Sequence, residues 1–273
     1  MKKSLLLAIP LSLMIAFGAC KKEKTEPADD TTGGSGASNG LVVEQVNNSL
    51  ITKATATWCG PCGSWGWTLY NDIITSNKTS AKFISLYAST SSSWDNNLFY
   101  TPDAAVLAQA FGIKGYPTMS TNGVNTMVYA SSGGIYTAQS KTNTDNAASA
   151  HKSATVVANS NHDLSIDGST AKVKVTTKFF EAGSGDYYIA AYLTEDKAKN
   201  RQASLTGVVE HHHVFRASFA TAWGTKISNT GANGIENFDF EVAIDNTWVK
   251  DNLEVVTVIY KKNGAKYEFV NAY

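Results

Sequence analysis

Thr55–Trp65 reads TATWCGPCGSW and holds two of the chain's three cysteines, Cys59 and Cys62. Two thiols separated by two residues suit a redox couple, a structural disulfide or half of a metal site. Zinc needs further ligands at matching spacing, and no second Cys-x-x-Cys exists in the 273 residues. A bridge across two residues closes too small a loop to stabilise a fold much. Redox chemistry uses the spacing best. The motif ends a strand-like run and opens a helix-like one, so the first thiol meets the positive end of the helix dipole and free backbone N–H groups. On this reading Cys59 is the attacking nucleophile and Cys62 the resolving thiol, and the Cys59–Cys62 disulfide forms and reopens in turnover. Gly60 lets a substrate approach, and Pro61 stiffens the turn and removes one donor.

Outward from the motif, the flanks read as strand and helix by turns. LVVEQVNNSLITKAT is read as strand, turn and strand, and Gly63–Asn77 as a helix with Trp65, Leu69 and Ile73 at helical spacing. AKFISLYA is a buried strand. TPDAAVLAQAFGI is a helix with Thr101 as N-cap, Pro102 at its first position and Asp103 complementing the dipole. YPTMSTNGVNTMVY reads as a hairpin turning at Asn122-Gly123, and a helix from Tyr136 to His151 closes the unit. The order βαβαββα predicts a mixed central sheet flanked by helices on both faces.

These features together resemble the thioredoxin family: WCGPC at Trp58–Cys62 between strand and helix, then FGIKGYPT at Phe111–Thr118, then the hairpin. The resemblance covers residues 41–150. It implies that Pro117 is cis and packs against the cysteine pair, that the Tyr116 backbone pairs with a substrate strand, and that Trp58 supports the site. Two positions depart from the pattern. Where that family often buries a carboxylate six residues before the first cysteine, this chain has Lys53; a buried lysine is neutral or paired, and a charged one nearby would stabilise a thiolate. After the second cysteine stands Gly63 instead of the common basic residue. Trp65 and Trp67 are extra aromatics beside the motif, suited to the core or to a substrate groove.

The N-terminus reads as a targeting segment. Lys2 and Lys3 precede the apolar run Leu5–Phe17, which is too short to span a bilayer comfortably. Phe17-Gly18-Ala19-Cys20 resembles a bacterial lipobox, which implies cleavage after residue 19 and lipidation of Cys20. Residues 20–40, charged and then rich in Gly and Ser, read as a flexible tether. With Cys20 acylated only Cys59 and Cys62 remain, which excludes a disulfide framework. Basic and acidic side chains balance at 23 each, so nothing points to nucleic acid.

From residue 153 the pattern turns to short alternating strands: TAKVKVTTKFF, DYYIAAYLTED, VVEHHHVFRASF, ENFDFEVAI, LEVVTVIYKK and KYEFVNAY, separated by turn signals. An all-β antiparallel sandwich is expected over residues 153–273, after a thioredoxin-like α/β domain over residues 41–152. On one strand His211 and His213 would share a face, a possible metal pair, but no carboxylate set completes it, and no metal and no cofactor is expected. The segment is similar in another way. HHHVFRASF, with His212, His213 and Arg216, followed by AWG, resembles Bacteroidetes outer-membrane lipoproteins related to the twenty-eight-kilodalton outer membrane protein.

The expected function is that of a lipid-anchored thiol–disulfide oxidoreductase of the cell envelope, at the outer membrane, with reduction slightly favoured over oxidation. Its partners would be protein thiols and disulfides, a redox partner protein, and the membrane through the lipid. The alternative is a non-enzymatic binding or adhesion lipoprotein whose Cys-x-x-Cys is structural or vestigial.

Overall fold

The computed structural model describes residues 40–91 and 98–273; the signal segment, Cys20 and all of the tether except Gly40 lie outside the described residues. β1 (Ser49–Thr55) and β2 (Ala81–Tyr87) run parallel, in register from Ser49↔Ala81 to Thr55↔Tyr87. A short α1 (Gly60–Gly63) and a longer α2 (Trp65–Asn77) connect them, with a break at Ser64 where one continuous helix was expected. α3 (Pro102–Ala110) starts as its sequence dictates: the Thr101 hydroxyl accepts the Ala104 N–H at 3.1 Å, and Asp103 lies in the first turn. β3 (Thr118–Thr121) pairs antiparallel with β1 and turns through Asn122 and Gly123, both at positive φ, into β4 (Val124–Asn125). α4 (Thr137–Lys152) follows.

The second half is all strands apart from one 3-10 turn at Lys250–Asn252. β5 (Ala158–Asp167), β6 (Thr170–Phe179), β7 (Asp186–Glu195), β8 (Ala198–Arg201), β9 (Val208–His211), β10 (Val214–Ser218), β11 (Thr225–Ile227), β12 (Ile235–Ala243), β13 (Leu253–Asn263) and β14 (Lys266–Ala272) succeed one another. β12, β6 and β5 make a three-stranded antiparallel sheet. Its inner face, with Val173, Val175 and Phe179, packs on Ile189, Ala191 and Leu193 of β7 and on Val255 and Ile259 of β13. Two facing layers of strands enclose that core.

The halves do not keep separate sheets, however. One nine-stranded sheet runs β14-β13-β7-β10-β2-β1-β3-β4, with β11 also on β7. The seam is β10 beside β2: Val214 pairs with Ser85, whose N–H donates to the His213 carbonyl and whose hydroxyl donates to the His212 carbonyl, each at 2.7 Å. The boundary expected at 152/153 is therefore no break in the sheet, and the described residues form one compact unit. On one face Ile51, Phe83 and Met119 meet Leu69, Tyr70 and Ile73 of α2 and Ala148 of α4. On the other, Leu50, Ile84 and Leu86 share a cluster with Leu107 of α3 and with Tyr192, Phe215, Val258 and Tyr260 from the second half.

Two strand expectations are corrected. Residues 41–48 are not a strand. Amide side chains of the second half claim their carbonyls instead: Asn161 donates to Val42 O, Asn159 to Glu44 O and Asn271 to Val46 O, at 2.7–3.0 Å. Nor is VVEHHHVFRASF one strand. It breaks at His212-His213, with His213 in the left-handed region at φ 53°, so β9 and β10 diverge.

Candidate active site

β1 ends at Thr55 against β2, and the chain turns through Trp58 into α1. Cys59 is the N-cap of that turn: its sulfur accepts the Cys62 N–H at 3.2 Å, and Pro61 sits in the first turn where no N–H is needed. Cys59 and Cys62 form a disulfide with Cα atoms 5.3 Å apart. The Tyr116–Pro117 peptide is cis, and the Pro117 ring lies where a Cβ on Gly66 would be, 2.5 Å from it. The loop before β3 is thus wedged against the start of α2, beside the cysteine pair. Tyr116 meets Trp58 edge-on at 6.2 Å, and both rings pack on the cluster of Ala56, Cys59 and Cys62. Burial pushes the Tyr116 phenol up.

Lys53 lies on the middle of β1, buried on the face that carries α2. Its ammonium is 4.2 Å from the centre of the Tyr70 ring and 5.4 Å from that of Trp67. Desolvation brings its pKa down to about 7. Trp67 in turn packs edge-on against His211 at 5.3 Å, while Trp65 lies against the α2–α4 core.

The three histidines go to three different places, so the shared face expected of His211 and His213 does not form. His211 is fully buried; its Nδ1 pairs with the Tyr87 hydroxyl at 2.6 Å, and its Nε2 lies 3.3 Å from Asn200 O. Desolvation and the nearby Lys53 charge bring it down to about 3. His212 pairs with Asp196 at 2.7 Å, and His213 stacks on Phe83 at 5.5 Å. Among the described residues no group of three side chains is arranged to hold a metal ion. His213 instead lines a cavity of about 550 Å3 with Phe83, His162 and Glu254, and neither cysteine reaches that cavity.

One part of the site was not anticipated. The loop Gln202–Gly207 between β8 and β9 lies over the motif from the second half. The Gln202 side-chain amide donates to the carbonyls of Ala56, Thr57 and Cys59 at 3.3, 3.1 and 2.9 Å, and the Ala203 N–H donates to Thr57 O at 2.8 Å. A Cβ on Gly63 would overlap the Ala203 carbonyl oxygen. This accounts for the glycine where a basic residue was the common choice, and that departure was the one sequence signal of the loop. Under it Cys59 is 4% and Cys62 2% exposed.

Fold and site together define a strand-rich mixed α/β protein, with several sheets, few helices and a Cys-x-x-Cys disulfide at the start of a helix. The chain belongs to the outer membrane protein Omp28 family, whose family model matches residues 104–272. It is on that ground an outer-membrane or cell-envelope protein. The matched region begins after the cysteine pair. Among solved structures, HBP35 of Porphyromonas gingivalis superimposes with a TM-score of 0.64 at 19% identity, over 84% of this chain and 75% of that one. Spo0M, a sporulation control protein of Bacillus subtilis, matches at 18% identity over 43% of this chain and 50% of its own, with a TM-score of 0.26. No curated protein matches the sequence.

Proposed function

We propose that the chain is an extracytoplasmic thiol–disulfide oxidoreductase, with a thioredoxin-like first half and a lipid anchor on Cys20. The observation that carries this reading is the Cys59–Cys62 disulfide at the N-terminus of α1, flanked by Pro117. In the reducing direction the Cys59 thiolate attacks a substrate disulfide, and one substrate sulfur leaves as a thiolate. The Cys62 thiolate then attacks Cys59 Sγ and expels the second. Two electrons pass to the substrate, two protons end on its sulfurs, and the Cys59–Cys62 bond re-forms. A redox partner protein supplying a dithiol resets the pair.

Reduction is the favoured direction. A fully charged Lys53 would stabilise the reduced thiolate and make the couple more oxidising, but burial brings its pKa down to about 7 and so weakens that charge at neutral pH. The burial of both cysteines favours a second reading, a binding lipoprotein with a structural disulfide. A redox titration separates the two. A midpoint in the range of about −120 to −270 mV supports catalysis. A disulfide that stays closed far below that range sinks it. With Cys62→Ser, Cys59 should accumulate mixed disulfides with envelope proteins that a Cys59→Ser control lacks.

A further inference from the structure

The β8–β9 hairpin is built to stay where it is. Its base is pinned by His211, which sits among Trp67, Tyr87 and Phe99 with ring centroids at 5.0–5.7 Å. Its tip is a tight turn, with the Leu205 N–H on Gln202 O at 3.1 Å and with Ser204 and Gly207 at positive φ. Gln202 is buried. Its one amide group spans three carbonyls of the segment that leads into Cys59. The loop also stands over the helix start itself: a Cβ on Gly60 would lie 3.3 Å from the Ser204 hydroxyl. One flank of the motif is therefore closed. The other, formed by Trp58, Pro61 and Tyr116, remains at least partly exposed.

We propose that the Gln202–Thr206 loop selects the substrates of the Cys59–Cys62 couple, an inference that rests on the oxidoreductase reading. The loop covers one side of the motif and leaves the Trp58, Pro61 and Tyr116 flank partly exposed, which fits an extended polypeptide segment or a small thiol or disulfide and obstructs a folded surface laid across the motif. Gln202 is a positioning residue, because it holds the backbone ahead of Cys59 and touches neither sulfur in the contacts it makes.

The test uses the full chain in its oxidised form and two reductants. Dithiothreitol is the small probe: it delivers two electrons and two protons, leaves two cysteine thiols and closes to its own cyclic disulfide. Reduced thioredoxin is the folded probe, delivering the same from a protein dithiol. Rates are compared between the natural chain and a variant in which Ala203–Thr206 is replaced by an Asn-Gly turn. The ratio of the thioredoxin rate to the dithiothreitol rate should rise on the order of tenfold in the variant, since the loop obstructs the folded dithiol more than the small one. Should the shortened loop fail to fold, Gln202→Ala keeps the loop, removes its clamp and should raise the same ratio about threefold. An unchanged ratio in a reducible protein overturns the loop's role alone. Resistance of every form to both dithiols overturns the oxidoreductase reading and the loop's role with it.

Discussion

The Lys53 ammonium lies 4.2 Å from the centre of the Tyr70 ring, within the layer where β1 packs on α2. Attraction to the ring face offsets part of the cost of burying an ammonium, and the depressed pKa is the remainder. In the unfolded chain this lysine holds its proton up to its ordinary value of 10.5, in the folded chain only up to about 7. The unfolded state thus binds more protons between those two values, and stability rises with pH across that window. Below pH 7 the full penalty applies, at most roughly 5 kcal/mol by the pKa difference. Lys53→Met should therefore stabilise the protein by a few kcal/mol at pH 6 and by less at pH 9. Urea unfolding at the two pH values measures it; equal gains at both would refute the titration.

His211 makes the fold sensitive to acid. It is buried neutral against Tyr87, Trp67 and Phe99, with Lys53 and Arg216 adding positive charge around it. Its pKa falls from 6.5 unfolded to about 3 folded, so stability is intact above pH 6.5 and declines as pH drops toward 3. One proton taken up on unfolding gives a slope of about 1.4 kcal/mol per pH unit. His211→Gln should lower the pH dependence between pH 6 and 4 by that amount, at some cost in stability from the lost Tyr87 bond. Denaturation curves at stepped pH measure it, and an unaltered slope would exclude His211 as the titrating group.

Arg216 and Glu195 form a buried ion pair. The guanidinium Nε and Nη2 lie 2.7 and 2.6 Å from Glu195 Oε2, and Nη1 donates to Leu98 O at 3.0 Å. The other carboxylate oxygen accepts the Val249 N–H at 3.0 Å. Removing one partner strands a charge in the interior, so Arg216→Met should cost about 3–5 kcal/mol. Arg216→Met with Glu195→Leu should recover most of that loss. Thermal or urea unfolding of the single and double variants tests the coupling.

Gly63→Ala places a methyl group against the Ala203 carbonyl and, at 2.9 Å, against Gln202 Cγ. Either the backbone shifts or the loop lifts, at an expected cost of about 1–3 kcal/mol. If the loop lifts, reduction of Cys59–Cys62 by reduced thioredoxin should accelerate more than reduction by dithiothreitol. A variant as stable as the natural chain would show that the loop does not rest on Gly63 in solution.

What could be read from the sequence was local. The α3 cap, the Asn122-Gly123 turn and the cysteine pair at a helix start each depend on neighbours within a few residues, and all three stand in the structure. The loop over the motif could not be read in the same way. Gln202 meets its carbonyl partners across 143–146 residues, and no periodicity encodes such a pairing. Residues 41–48 misled for a related reason. Their apolar run, Leu41 to Val43 with Val46, looks like a strand, but the bonds their backbone makes are set by asparagines more than a hundred residues away. In the histidine run, the left-handed backbone at His213 broke the period-two pattern on which a shared face depended.

The seam between β2 and β10 bears on how the molecule is assembled as it leaves the ribosome or a translocation pore. Ser85 finds its hydroxyl's acceptor 127 residues later, at His212. Until that stretch emerges, Ala81–Tyr87 is the open edge of a sheet, and unpaired edges invite pairing with foreign strands. The cysteines emerge earlier still, before the loop that covers them exists. A nascent chain stalled midway would present both a sticky strand and an uncovered thiol pair, hazards that disappear together when the last third of the chain folds onto the first.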